Sequence, residues 1–174
     1  ISLEETDCFS SFFIDYLNEA PALSPFYSHF PTLENFQASA AERSFSDNSR
    51  EVLAEALLQQ YATSEVTLRP LVEENIHALR KPGTFTITTG HQLNIFTGPL
   101  YFLYKIITVI NTCKKLKDRY PHHHFVPVYW MASEDHDFEE INHFFYQNKR
   151  YIWSTEQSGA VGRFDPTDLV AMVS

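Results

Sequence analysis

Thr84-Phe85-Thr86-Ile87-Thr88-Thr89 alternates apolar and β-branched polar residues, and this stretch decides how the chain is read. Such a pattern predicts a short strand with two different faces. A glycine-punctuated loop follows, Gly90-His91-Gln92-Leu93-Asn94-Ile95-Phe96-Thr97-Gly98-Pro99. Pro99 suits the first turn of a helix, and Leu100, Leu103, Ile107, Ile110 and Cys113 recur at helical spacing behind it. Lys114, Lys115, Lys117 and Arg119 complement the negative end of that helix, and Pro121 closes it. Next comes Phe125-Val126-Pro127-Val128-Tyr129-Trp130-Met131, nearly all apolar, as in a strand covered on both faces. Pro127 in that run asks for an edge or a strand start. Strand, loop, long helix and strand make a βαβ unit with two parallel strands. Both loops after the strands then leave from the same carboxyl edge of the sheet, where open α/β sheets bind ligands.

Working outward, Phe9, Phe12, Phe13, Tyr16 and Leu17 predict an aromatic helix within Leu3 to Tyr27, ended by Pro21 and Pro25. Asn48 with Glu51 three residues on resembles a capping box, opening a helix with Val52, Leu53, Ala56, Leu57 and Tyr61 on one face. Leu71, Val72, Ile76 and Leu79 predict another from Leu68 to Arg80, stopped by Lys81-Pro82-Gly83. On the far side, Ile141 to Trp153 predicts two short aromatic strands around Gln147-Asn148-Lys149, and Ser154 to Pro166 a connecting loop. The expected organisation is a mainly helical segment over 1–82 and an α/β segment over 83–174. Ile1 in place of a methionine, and an apolar stretch from Asp168 cut short at Ser174, predict a piece of a longer protein.

Composition narrows the function. The chain is 44% hydrophobic, 20% charged and 15% aromatic, which excludes disordered, collagen-like and coiled-coil classes. A formal net charge of −9 disfavours non-specific binding to nucleic acid or to anionic membrane surfaces, and favours small-molecule partners. Cys8 and Cys113 are too few for a disulfide framework and fit a reducing cytoplasm. The longest apolar stretch, Leu100 to Ile110, is broken by Lys105, and the acidic first ten residues do not read as a secretory leader.

Two constellations can carry chemistry. In the first loop, two glycines and a helix N-terminus offer backbone N–H groups to an anion, although the spacing matches neither a P-loop nor a GxGxxG fingerprint. The plain alternative is two tight turns and a surface histidine. Lys105, two turns into the helix beside Tyr101 and Tyr104, either reaches back toward an anion or snorkels to solvent. The second constellation is Ser133-Glu134-Asp135-His136-Asp137, followed by Glu139, Glu140, Asn142 and His143. Its density of carboxylates and imidazoles suits a general base, an amine-holding site or a metal; its plain alternative is a capped, acidic helix start. His136, Glu140 and His143 would share one face of a continuous helix and could hold zinc in a metal-dependent hydrolase, though the pattern is not HExxH, and a non-catalytic binding module is the other alternative. His122-His123-His124 reads as a solvated tract, Cys113 as a core residue, and Cys8 has no basic neighbour.

Thr88-Thr89-Gly90-His91-Gln92, Phe96-Thr97-Gly98-Pro99-Leu100-Tyr101, Tyr104-Lys105 and the long run Pro127 to Asn142 together resemble the bacillithiol biosynthesis cysteine-adding enzymes, a cysteine ligase family. The resemblance implies a Rossmann-like parallel α/β core, here only its N-terminal portion. It also implies addition of L-cysteine to the amine of glucosaminyl-malate, and a full-length homodimer formed through a coiled coil. On this reading Asp135, His136 and Asp137 are the catalytic group, orienting the amine or taking its proton. Gly90, His91, Gln92, Asn94, Thr97, Gly98, Lys105, Ser133, Glu134 and Asn142 bind substrate, and no metal is implied. Family members commonly carry glutamine where His91 stands, which favours binding over obligatory acid–base work there. ATP or another nucleotide is a possible cofactor, with its phosphates at Gly98 and the helix N-terminus. Half of a doubly wound sheet leaves an open edge, so the fragment alone is expected to be inactive or to self-associate.

Overall fold

The computed structural model describes residues 2–96 and 98–173. They form α1 (Ser11–Leu17), α2 (Asn35–Glu42), α3 (Asp47–Thr63), α4 (Pro70–Leu79), β1 (Thr84–Gln92), α5 (Leu100–Arg119), β2 (His124–Ala132), α6 (Phe138–Ile141), β3 (His143–Tyr146), β4 (Lys149–Ile152) and α7 (Thr167–Val173). Two compact units divide at Ser46 and Asp47, so α3 and α4 cluster with the sheet. The 82/83 boundary remains the point where helical sequence gives way to strand. No described helix is long and apolar enough to cross a membrane.

In the first unit the aromatic helix is shorter than its spacing suggests. Ser10 starts α1 by accepting the Phe13 N–H at 3.3 Å. Asp7 and Glu19 take left-handed backbone conformations, so the chain turns before and after seven helical residues. Pro21 opens a 3₁₀ stretch instead of ending an α-helix, and Phe12 is exposed rather than packed. Tyr16, Tyr27 and Phe30 make the aromatic cluster, with centroids 5.1–6.0 Å apart.

In the second unit α3 begins at Asp47, which places Asn48 in its first turn and not at its cap. Glu51 pairs instead with Arg80 at 2.8 Å. The buried residue of α3 is Ala54, whereas Val52, Leu53 and Ala56 are exposed. Arg50 explains the orientation, because its guanidinium donates to the Leu79 carbonyl at 3.0 Å and the Thr84 carbonyl at 3.2 Å. One side chain thereby ties α3 to the end of α4 and the start of β1. Arg50→Met keeps the stem but leaves both carbonyls short of a donor, and is expected to cost about 2–3 kcal/mol by urea unfolding. In α4, Ile76 and Leu79 are buried as the periodicity requires, while Leu71 is exposed.

β1 and β2 are parallel, from Thr84 opposite His124 to Gln92 opposite Ala132. The strand therefore runs three residues beyond Thr89, and Gly90, His91 and Gln92 belong to the ladder, not to a loop. Gly90 is needed for close approach: a Cβ there would lie 3.0 Å from the Trp130 carbonyl oxygen. Pro127 sits mid-strand opposite Ile87, in a strand bonded on one side among the described residues.

The crossover helix α5 corrects the expected stripe. Val109, Cys113 and Leu116 are its buried residues, and half-buried Phe102 and Ile106 continue that line. Leu100 and Ile107 are 66% and 52% exposed, and Leu103 and Ile110 also face outward. Helix α5 carries two apolar lines, and the sheet takes the one through 102, 106, 109, 113 and 116. Its basic end behaves as expected, since Lys117 Nζ donates to the Pro121 and His123 carbonyls, each at 3.1 Å. His122 is exposed, but His123 packs edge-on against Phe85 and Phe125 and His124 meets Asn75, so the tract is only partly solvated.

β3 and β4 form the antiparallel hairpin, closed by Gln147 and Asn148, both at positive φ. Phe144 and Tyr151 stack across it at 5.0 Å. The loop after β4 contains a 3₁₀ turn, Val161–Arg163, whose Val161 is buried.

Candidate functional site

The two parallel strands end side by side at Gln92 and Ala132, so the segments after them start from one sheet edge. Gln92 joins them: its Nε2 donates to Asp135 Oδ2 at 2.8 Å across 43 residues of sequence. The other oxygen, Asp135 Oδ1, accepts the Asp137 N–H at 2.9 Å. The Gln92 amide, followed by the backbone N–H of Asp137, holds the Asp135 carboxyl below its ordinary value. Asp135 is thus a stable anion and a weak proton acceptor at neutral pH. Reversing the Gln92 amide would set its oxygen against that carboxylate, so the orientation is determined by charge. Gln92 Oε1 is buried and has no partner among the described residues.

The rest of the acidic segment divides its work. Asp137 Oδ1 accepts the Glu140 N–H at 3.3 Å and caps α6, which is only four residues long. His136 and Glu134 are exposed, and the His136 ring makes no hydrogen bond among the described residues. Ser133 is packed beneath Gly162, where a Cβ would lie 2.5 Å from the serine Cβ. The Gly162 N–H donates to the Ser133 carbonyl at 2.9 Å and the Val161 N–H to the Asp135 carbonyl at 2.8 Å, so the 161–163 turn seats this loop from below. Asn142 ends α6, accepts the Trp153 N–H at 2.7 Å on its carbonyl, and meets His143 through its side chain at 3.1 Å.

The zinc arrangement lacks its helix. His136 precedes α6, Glu140 lies on it and His143 opens β3. No group of three His, Cys, Asp or Glu suited to a metal occurs among the described residues.

Around the end of β1, successive residues leave on opposite faces. Gln92 turns toward Asp135, while His91 packs against α5, 5.2 Å from the Tyr101 ring and 5.9 Å from Phe102. His91 Nε2 lies 2.7 Å from Tyr101 Oη, and Nδ1 lies 3.2 Å from the Gln92 carbonyl. The Tyr129 hydroxyl approaches the His91 carbonyl at 3.4 Å, and burial pushes that phenol above its ordinary value. Asn94 donates to the Gln92 carbonyl at 3.0 Å. Gly98, at φ +61°, lies so close to Asn94 that a Cβ would fall 2.6 Å from the amide carbon. Lys105 Nζ donates to the Gly90 carbonyl at 3.3 Å and stands 5.4 Å from the Tyr101 ring centre. Thr97 lies outside the described residues.

Of the residues singled out in the sequence, Gly90, His91, Gln92, Asn94, Gly98, Lys105, Asp135 and Asp137 form one connected network. Ser133 and Asn142 serve the seating of the loop. At the loop's end the Gly98 N–H points to the Ile95 carbonyl at 3.4 Å, and Pro99 carries no N–H. Tyr101 and Tyr129, which the sequence does not single out for the site, touch His91 through its ring nitrogen and its carbonyl. The sequence signals for Tyr101 are its place in the first turn of a helix opened by Pro99, its position beside Lys105, and its place in the run Phe96 to Tyr101. Cys113 is a core thiol that burial pushes up to about 11, and Cys8 donates to the Thr6 carbonyl.

Residues 1–174 match the family described as "Bacillithiol biosynthesis BshC, N-terminal Rossmann-like domain". A protein of Flavobacterium psychrophilum is 50% identical over 172 residues, covering 97% of this chain and 32% of that protein. One of Cytophaga hutchinsonii is 44% identical over 169 residues with the same two coverages, and one of Chlorobaculum tepidum is 35% identical over 149 residues, covering 77% and 24%. All three bear the name "Putative cysteine ligase BshC". The chain spans about a third of the length of the first two relatives. By the match over its whole length and these identities, the chain belongs to the BshC family of bacillithiol biosynthesis, as its N-terminal Rossmann-like domain.

Proposed function

We propose that the protein containing this domain adds L-cysteine to the amine of glucosaminyl-malate, forming an amide in the last step of bacillithiol biosynthesis. The observation that carries the reading is the Gln92–Asp135 bond, which joins the two strand ends and keeps one carboxylate ionised at the sheet's carboxyl edge. An anion held in this state attracts and orients an ammonium group. Asp137 and Glu134 extend the acidic surface beside it, and His136 adds an exposed imidazole. Gly90, Asn94, Gly98 and Lys105, which contact one another and the Gln92 carbonyl around the end of β1, are assigned to substrate binding on this reading. The family membership and the relatives' names support the ligase class. The same reading places the reaction in the cytoplasm, in a homodimer whose coiled coil lies beyond this domain, and leaves the isolated domain inactive.

The test is a thiol and precursor profile by mass spectrometry of source cells in which the gene is disrupted. Bacillithiol is expected to vanish while glucosaminyl-malate accumulates, and an unchanged profile defeats the reading. Complementation with Asp135→Asn removes the charge with little change of shape and is expected to restore no more than about 1% of the product flux, at normal protein level.

A further inference from the structure

The side of the sheet turned away from α5 changes character along its length. Its start is closed, with Thr84 and Val126 each 4% exposed and Asn75 of α4 beside His124. Toward the carboxyl edge the same side opens, and there β1 presents Thr86, Thr88, Gly90 and Gln92, both threonines exposed. Parallel strands covered by helices carry apolar residues on both faces, so two hydroxyls, a glycine and an amide do not make a seat for a helix. Against them β2 sets one large side chain. Tyr129 meets Phe102 of α5 at 5.4 Å, so Trp130, the next residue, leaves on the opposite side, where it is 60% exposed. Trp130 stands opposite Gly90, and a Cβ on that glycine would lie 3.2 Å from Trp130 Cβ and 3.5 Å from Cδ1. The indole thus occupies the space the glycine leaves. Gln92 follows two residues along on the same side, roughly 8 Å away by strand spacing, and its amide holds the Asp135 carboxylate at 2.8 Å.

From this juxtaposition we infer that Trp130 is a substrate-binding residue that selects the sugar: the pyranose ring of the glucosaminyl group stacks on the indole while its ammonium group turns to Asp135. A pyranose has C–H groups on its ring faces and hydroxyls around its rim. That distribution matches an aromatic plane bordered by the Thr86 and Thr88 hydroxyls and a fixed anion. The indole supplies a large, rigid apolar area, and its electron-rich face attracts the neighbouring ammonium as well. L-cysteine has no ring to stack, so Trp130 distinguishes the two substrates and assigns the sugar to the side of the sheet away from α5. The assignment rests on the cysteine ligase reading for the identity of the sugar.

Two measurements on the full-length protein test it. Calorimetric titration of glucosaminyl-malate, with cysteine absent, reads the contact without turnover. Trp130→Leu keeps apolar bulk but no ring and is expected to weaken binding about 10-fold, whereas Trp130→Phe keeps a ring and changes it by no more than about 3-fold. A side chain that served only as packing would tolerate Leu and Phe alike, so equal affinities in the two variants overturn the inference. Fluorescence gives the second readout. Trp153 is 6% exposed, so Trp130 is the indole of this domain that acrylamide reaches. Saturating glucosaminyl-malate is expected to lower quenching in the wild type and to leave it unchanged in Trp130→Phe. Equal protection in both overturns the inference, even where the Leu variant fails to fold. In either case a wild type that binds glucosaminyl-malate leaves the ligase reading standing. A wild type that does not bind it overturns that reading and the role of Trp130 together.

Discussion

Gln92→Glu is expected to lower cysteine addition at pH 7 by about 100-fold and to move the acid limb of its pH profile upward. The substitution keeps the length and shape of the side chain but puts an oxygen 2.8 Å from Asp135 Oδ2, where a donor now stands. Two carboxylates at that separation cannot both ionise, so they share a proton and titrate as a pair. In the wild type, Gln92 and the Asp137 N–H hold Asp135 below its ordinary value. Its stabilising contribution is therefore complete above the unfolded-state value and is lost as pH falls through the depressed one. In Gln92→Glu the pair's upper pKa is raised, and the sign reverses: stability is favoured below the ordinary value and lost as pH rises through the raised one. Thermal unfolding from pH 4 to pH 8 should show the variant closest to wild type at the acid end. Activity should recover with rising pH as the shared proton leaves. An unshifted acid limb, with activity near wild type, would show that Asp135 does not need Gln92.

The second large effect is expected at Gly162, through packing. A methyl group there would lie 2.5 Å from Ser133 Cβ and 2.6 Å from the Ser133 carbonyl oxygen, inside any tolerable contact. Neither neighbour is the free end of a long side chain, so the backbone has to move. Gly162→Ala therefore breaks the N–H bond to Ser133 and strains the adjacent Val161 bond to Asp135. The expected cost is about 1–3 kcal/mol in urea unfolding, because the exposed turn must shift to relieve the contact with Ser133. Activity should fall with it, because the same turn fixes the height of Asp135 above the sheet edge. Comparing the two variants separates their causes: the Gly162 defect should persist at every pH, and the Gln92 defect should not.

Much of this architecture is legible in the chain. The β-branched alternation from Thr84, the Pro99 helix start and the apolar run from Phe125 point to a βαβ unit, and the structure pairs those strands in parallel. Gln147-Asn148 marks a hairpin because both residues tolerate positive φ, which they adopt. Composition also placed the acidic loop at the end of the second strand. The errors have local causes. Gly90 suggests a turn because glycine often ends strands, yet here it continues one so that Trp130 can approach. His136, Glu140 and His143 share a face only on a helix that Asn142 ends.

The βαβ order, the terminal hairpin, the common edge of the two strands and the residue types at that edge followed from the sequence alone, because periodicity and turn chemistry act over a few residues. Tertiary structure decided which apolar line of α5 is buried, since Leu100, Leu103, Ile107 and Ile110 satisfy helical spacing as well as the line the sheet takes. It also decided that Gln92 holds Asp135 and that Tyr101 covers His91. Those pairings join residues 43 and 10 positions apart through the meeting of separate elements, and no local propensity encodes a hydrogen bond that exists only once the strands and helix have packed.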